Sequence, residues 1–225
     1  MSRVRPLPLR LALALVASAL DGALLVLACG GFARFVANAV SVALVVAWTL
    51  AALTLSAIQP VRAQDPVAAD RDAPWRLALL GLLPLAIPPL SALADRLGWM
   101  PLGFPDAARW IGVGLVAFGL AIRITAMARL GSRFAPEAVV QREHALETSG
   151  LYALVRHPGY LGAWLAALGS VLAFSSAVAM PLLVAFAWLL SQRARKEDAL
   201  LERHFGGPYR AYCARTGAFL PRIGR

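Results

Sequence analysis

The 225 residues are 60% hydrophobic and only 15% charged, with a mean hydropathy of +0.67. A soluble domain runs at about 45–50% apolar and about 25% charged, so an ordinary soluble enzyme is excluded and a polytopic membrane protein forming one compact unit is implied. The net charge of +10 comes from 22 Lys+Arg against 12 Asp+Glu, and the arginines flank apolar runs. That placement suits anchoring to anionic headgroups and argues against a nucleic-acid partner, which would need basic and aromatic residues on a polar surface.

Residues 1–10 carry Arg3, Arg5 and Arg10, and an apolar run follows over 11–29. A secretory signal cleaved near Ala17-Ser18-Ala19 is one reading, but the run has the length of a membrane span. Asp21 inside it costs on the order of 3 kcal/mol at mid-bilayer, so it should face the bundle or a polar cavity. The second span is expected over 35–58, ending at Gln59-Pro60. A polar loop covers 61–75. The third span, 76–93, contains Pro84, Pro88 and Pro89 and is expected to be kinked or broken. Its prolines either line a lateral lipid entrance or are simply tolerated.

A Gly- and Pro-containing loop at 95–107 leads to the fourth span, 108–127, where Gly112, Gly114 and Gly119 permit close helix approach. Arg123 near its end is expected to snorkel to the interface. Residues 129–157 form the longest polar stretch. The fifth span, 159–174, and the sixth, 177–190, are joined only by Ser175-Ser176, which forces an antiparallel hairpin and puts the last two polar stretches on one side. Six spans with both termini inside leave two basic residues outside, Arg34 and Arg96, in accord with the positive-inside rule. The fold class is therefore all-α, a transmembrane helix bundle of about six spans, divided as 1–128 (N-terminal helices) and 129–225 (functional core).

Neither Cys29 nor Cys213 belongs to a CxxC pair, and His144, His157 and His204 lack metal-binding spacing, so no disulfide framework or metal is expected. Past the sixth span the helix continues through Arg193, Glu197, Asp198 and Glu202 to Gly206-Gly207-Pro208. Arg193 and Glu197 share a face, and Tyr209 and Tyr212 are three apart. On spacing alone, an interfacial amphipathic tail with weak ion pairs is the favoured account. His157 precedes Pro158, which holds its imidazole at a helix entrance whose N–H groups favour an anion. A tail Glu with a loop His and Tyr could grip a zwitterion.

The run Val140-Gln141-Arg142-Glu143-His144-Ala145-Leu146-Glu147-Thr148-Ser149-Gly150-Leu151-Tyr152, with Val155-Arg156-His157-Pro158-Gly159-Tyr160-Leu161-Gly162, resembles the signature of the isoprenylcysteine carboxyl methyltransferase and phospholipid methyltransferase superfamily. The tail Glu197-Asp198-Ala199-Leu200-Leu201, with His204-Phe205-Gly206, Tyr209, Tyr212 and Phe219-Leu220-Pro221, resembles its C-terminal block. The resemblance covers 130–221. It implies an integral membrane methyltransferase that uses S-adenosylmethionine at the cytosolic face and takes its acceptor from the bilayer.

Carried over, the cofactor would be held by His144, Leu146, Gly150, Tyr152, Arg156, His157, Tyr160 and Glu197. Asp198, shorter than the Glu usual there, would join them, and Gly162 would permit close helix packing. Arg193 and Glu197 would be catalytic, Arg193 by orienting a carboxylate acceptor. An amine acceptor would need a base, Glu197 or Tyr152. Prenylcysteine, phosphatidylethanolamine, a small thiol or another lipid all suit a membrane-facing cavity. The Ala- and Arg-rich composition suggests a bacterial inner membrane protein. Two rival readings remain: an NADPH-dependent sterol-type reductase, which shares an Arg-His-Pro-x-Tyr-x-Gly motif, and a non-enzymatic membrane protein.

Overall fold

A computed structural model describes residues 6–58, 66–70, 73–131, 138–141 and 146–222. Helix α1 (Leu7–Cys29) ends at Gly30 and is followed by a short α2 (Phe32–Ala37) and by α3 (Ala39–Ile58). The run expected as one span at 35–58 is divided because Asn38 accepts from the backbone N–H groups of Val40 (3.1 Å) and Ser41 (3.3 Å), capping α3 afresh. Helix α4 (Pro74–Arg96) is uninterrupted although it contains Pro84, Pro88 and Pro89, so of the expected kink or break the break does not occur. Helices α5 (Asp106–Leu130), α6 (Leu151–Leu154), α7 (Pro158–Ala173), α8 (Met180–Phe205) and α9 (Gly207–Arg215) complete the helical set.

Among the described residues five helices are long and apolar enough to cross a membrane, and α7, at 16 residues, is a shorter apolar one. The bundle of about six spans is thus five full spans and one short helix. The all-α class holds with one addition. Strand β1 (Pro66–Asp70) pairs antiparallel with β2 (Ala138–Gln141), Ala69 opposite Val139, so a two-stranded ribbon joins two stretches expected as polar loops.

Helix α7 is shared by both buried clusters. One joins α1, α3, α5 and α7 around Leu44, Val116 and Phe174; the other joins α4, α7 and α8 around Ile87, Val171 and Phe186. The expected hairpin between α7 and α8 is present. Its turn is clamped by the loop after α4: Leu102 N–H donates to the Ser175 carbonyl (2.8 Å) and the Ser176 hydroxyl to the Trp99 carbonyl (2.9 Å). Beneath that loop, Arg109 forks onto both oxygens of Asp95 (2.6 and 2.9 Å), joining the end of α4 to the start of α5.

The closest helix contact is α5 against α7. A Cβ on Gly119 would lie 2.5 Å from the Gly162 carbonyl oxygen, and one on Gly162 would lie 2.4 Å from that of Gly119. Gly112 and Gly169 repeat the arrangement two turns away, at 2.7 and 2.6 Å. Backbone therefore rests on backbone, as small residues allow in apolar surroundings. Gly114 has open space around it. Gly119→Ala and Gly162→Ala are each expected to lower stability by about 1–3 kcal/mol through forced separation. Gly114→Ala should leave the melting temperature unchanged or slightly raised, since Ala favours helix. Thermal unfolding in detergent distinguishes the three.

Candidate functional site

The entrance of α7 carries His157 as the residue before the helix and Pro158 in its first turn. Proline there fixes the start, and its effect on the preceding residue keeps His157 non-helical (φ −122°). The chain reverses through Ser175-Ser176 and returns in α8, whose second half brings Arg193, Glu197 and Asp198 back to this entrance.

Two linked constellations result. In the first, the Tyr160 hydroxyl donates to Glu197 Oε2 (2.8 Å) and accepts from Arg193 Nε (2.9 Å). The His157 ring stacks on Tyr160 with centroids 5.5 Å apart, and its Nδ1 lies 3.7 Å from Glu197 Oε2. Arg193 is buried. Arg123, from α5, donates to the Gly159 carbonyl (3.1 Å) and lies within electrostatic reach of Tyr160 and Arg193.

The second constellation centres on Asp198. It accepts from Arg156 Nη2 (3.0 Å), His157 Nε2 (2.8 Å) and the Tyr209 hydroxyl. Burial works against the Arg156 charge, but the hydrogen bond to Asp198 and the charge behind it more than offset this and hold the guanidinium above its ordinary pKa. Burial pushes the Tyr209 phenol well up, and Asp198 pushes it further. Burial likewise lifts Tyr212 to about 12; its hydroxyl donates to the Tyr152 carbonyl (2.6 Å).

The segment after α9 closes the knot. Arg156 N–H donates to the Gly217 carbonyl (2.9 Å), His157 N–H to the Ala218 carbonyl (3.0 Å) and Arg156 Nη1 to the Thr216 carbonyl (2.6 Å). The tail thus engages the amides of Arg156 and His157, just before the helix, whereas within its first turn Tyr160 N–H and Leu161 N–H donate to the His157 carbonyl (3.2 and 3.1 Å). Phe219 lies 5.8 Å from the His157 ring, centroid to centroid.

Of the residues singled out in the sequence, Arg156, His157, Tyr160, Arg193, Glu197 and Asp198 come together. Tyr152 is buried one layer away, with its hydroxyl donating to the Ala126 carbonyl (3.3 Å). Gly150 turns the chain into α6 with φ +58°. Leu146 is half-buried in irregular chain, with no hydrogen bond or ring contact tying it to the cluster among the described residues. His144 lies outside the described residues. Arg123, expected to snorkel, instead turns inward to the start of α7. The available signal was a lone cation one turn after a helix-packing glycine, because intramembrane charges seldom face lipid. The part played by the carbonyls of 216–218 has no side-chain signal. Among the described residues no three of His, Cys, Asp and Glu gather as a metal set.

Residues 111–203 match the model of the isoprenylcysteine carboxyl methyltransferase (ICMT) family. The protein-S-isoprenylcysteine O-methyltransferase of Schizosaccharomyces pombe is 33% identical over 114 residues, covering 49% of this chain and 48% of that protein. The human protein of the same name is 33% identical over 117 residues, covering 50% and 40%. The chain thus spans about half the length, or less, of these relatives. A solved eukaryotic intramembrane Ras methyltransferase superposes over 92% of this chain and 76% of its own with a TM-score of 0.61 at 20% identity, a likeness of fold. The resemblance read in the motifs is borne out, and nothing in these matches supports the reductase.

Asp198→Ala leaves Arg156 half-buried without its carboxylate and is expected to cost about 3 kcal/mol in thermal unfolding. Glu202→Ala removes an exposed pair with Arg210 at 3.7 Å and should cost under about 1 kcal/mol.

Proposed function

We propose that the chain is an integral membrane methyltransferase that transfers a methyl group from S-adenosylmethionine to a lipophilic carboxylate carried in the bilayer, of the isoprenylcysteine kind. The observation that carries this reading is the Arg193–Tyr160–Glu197 relay, set within the segment that matches the methyltransferase family model. The arginine-rich ends support a reading in which this cluster, and both termini, face the cytosol.

The residues present fit the cofactor. Glu197 Oε1 has no hydrogen-bond partner among the described residues, so it can accept from an ammonium or a ribose hydroxyl. Asp198 fixes the imidazole through Nε2, leaving His157 Nδ1 beside Glu197 as a second polar contact. Asp198 itself is saturated by protein donors and acts as a positioning residue. S-adenosylmethionine supplies, when bound, a methyl group already activated on a sulfonium.

The protein's share is alignment and dehydration. Arg193 holds a carboxylate acceptor by charge-assisted hydrogen bonds, with Arg123 adding a second positive charge. Tyr160, spanning Arg193 and Glu197, keeps the acceptor's cation and the cofactor's anion at a fixed separation. A carboxylate needs no general base. Two guanidiniums around one phenol favour this acceptor over a phospholipid amine, which would carry the same sign of charge.

Calorimetry with S-adenosylhomocysteine should show saturable binding to the wild type. His157→Ala and Glu197→Gln should lose it while melting as folded proteins; full binding by both removes the site assignment. Arg193→Gln should retain cofactor-product binding but lower turnover of an S-prenylcysteine carboxylate by roughly 100-fold. Binding of NADPH alone would return the reductase reading.

A further inference from the structure

The only two basic residues expected on the side opposite the His157 cluster are 62 positions apart in sequence, yet the fold brings them to one point. A Cβ built on Gly30, at the end of α1, would lie 2.8 Å from Arg96 Nη1 and 3.0 Å from Arg34 Nη1. Arg96 closes α4 and Arg34 belongs to α2. This is the end where the 99–104 loop clamps the turn between α7 and α8, so the bundle's length separates it from His157.

Neither guanidinium has an acid or carbonyl partner among the described residues. Arg109, at the same end, takes both oxygens of Asp95 and lies 3.5 Å from Asp106. Capping of α1 does not explain the pair. The terminal carbonyls of Leu27 and Val26 already accept from Gly30 N–H (3.0 Å) and Gly31 N–H (2.9 Å). Two like charges crowded around a glycine repel each other unless an anion lies between them. Forked donors of this type match a phosphate, whose several oxygens accept from both at once.

The surroundings identify which phosphate. Leu27 is 70% exposed and Phe32 69% exposed, while Leu20 and Leu24 continue the bare apolar face down α1. On a membrane-spanning helix that face meets acyl chains, and Trp99 stands exposed at the same level.

We propose that Arg34 and Arg96 bind the phosphodiester of an anionic phospholipid headgroup, with its acyl chains along α1. Native mass spectrometry of the detergent-purified chain with added phosphatidylglycerol tests this, with phosphatidylcholine and inorganic phosphate as separate arms. The wild type should retain one tightly held phosphatidylglycerol. R34Q/R96Q should bind it roughly tenfold more weakly, with phosphatidylcholine retention unchanged. Equal retention of phosphatidylglycerol by the double variant overturns the proposal, as does equal loss of both lipids. Competition by inorganic phosphate at the lipid's own concentration overturns the lipid assignment in favour of a free anion. If the double variant does not melt as a folded protein, R34Q and R96Q are read singly, each expected to weaken retention. Unfolding of all three assigns the arginines to packing and overturns the site.

Discussion

Backbone rests on backbone where α5 crosses α7, and the position of the Tyr160 cluster follows from that contact. Gly119 and Gly162 face each other so closely that neither has room for a Cβ. Arg123 comes one turn after Gly119, and Gly159 lies three residues before Gly162. The same close approach therefore lets the Arg123 guanidinium reach the Gly159 carbonyl at 3.1 Å. Tyr160 is the next residue. Moving α7 outward by the width of a methyl group would draw Tyr160 away from Arg123 and strain its bonds to Arg193 and Glu197. A packing feature of the apolar core thus sets the geometry of a polar site at its end.

Asp198 performs the corresponding task for the chain outside the apolar region. Its carboxylate gathers Arg156 and His157 from before α7 and Tyr209 from α9. Backbone pairing of Arg156 and His157 with Gly217 and Ala218 seals the same junction. A charge withdrawn from water in this way contributes modest net stability, but removing one partner leaves the others uncompensated. The network accordingly specifies one arrangement of loop and tail. Glu197, one residue earlier on α8, keeps an oxygen open because Asp198 has taken the structural burden.

The helical spans were legible because long apolar runs admit few alternatives in lipid. The hairpin was legible because a short connection, 174–179 in the structure against the two residues expected, leaves neighbouring helices antiparallel. Glycine spacing identified α5 as a close-packing helix. Asn38, by contrast, gives no hydropathy signal, and its capping bonds divide a run that hydropathy treats as continuous. The prolines of α4 do not break it, and buried contacts around Ile87 and Leu83 hold the helix through them. The ribbon of β1 and β2 pairs segments about 70 positions apart, and short polar loops carry no pattern that would announce such pairing. Motif residues picked out His157 and Glu197, which the fold brings together. Arg123 is ambiguous in the sequence because its position near a helix end suits both snorkelling and inward use, and only the orientation of α5 against α7 decides between them.

The shortness of α7 has a consequence for access. Its 16 residues span about 24 Å, against a hydrocarbon thickness of about 30 Å. Its far end is tied by the Ser175 and Ser176 clamp to the loop after α4, a full-length span. With that end fixed at one interface, the His157 end falls short of the other and lies below the level reached by α5 and α8. Tyr160, one turn inside, lies deeper still, alongside the buried Arg193. On the proposed reading the relay stands where a lipid chain reaches it from the side, while Glu197, further along α8, is partly exposed. A lipid-borne group and a water-borne one can meet there with neither crossing into the other's solvent.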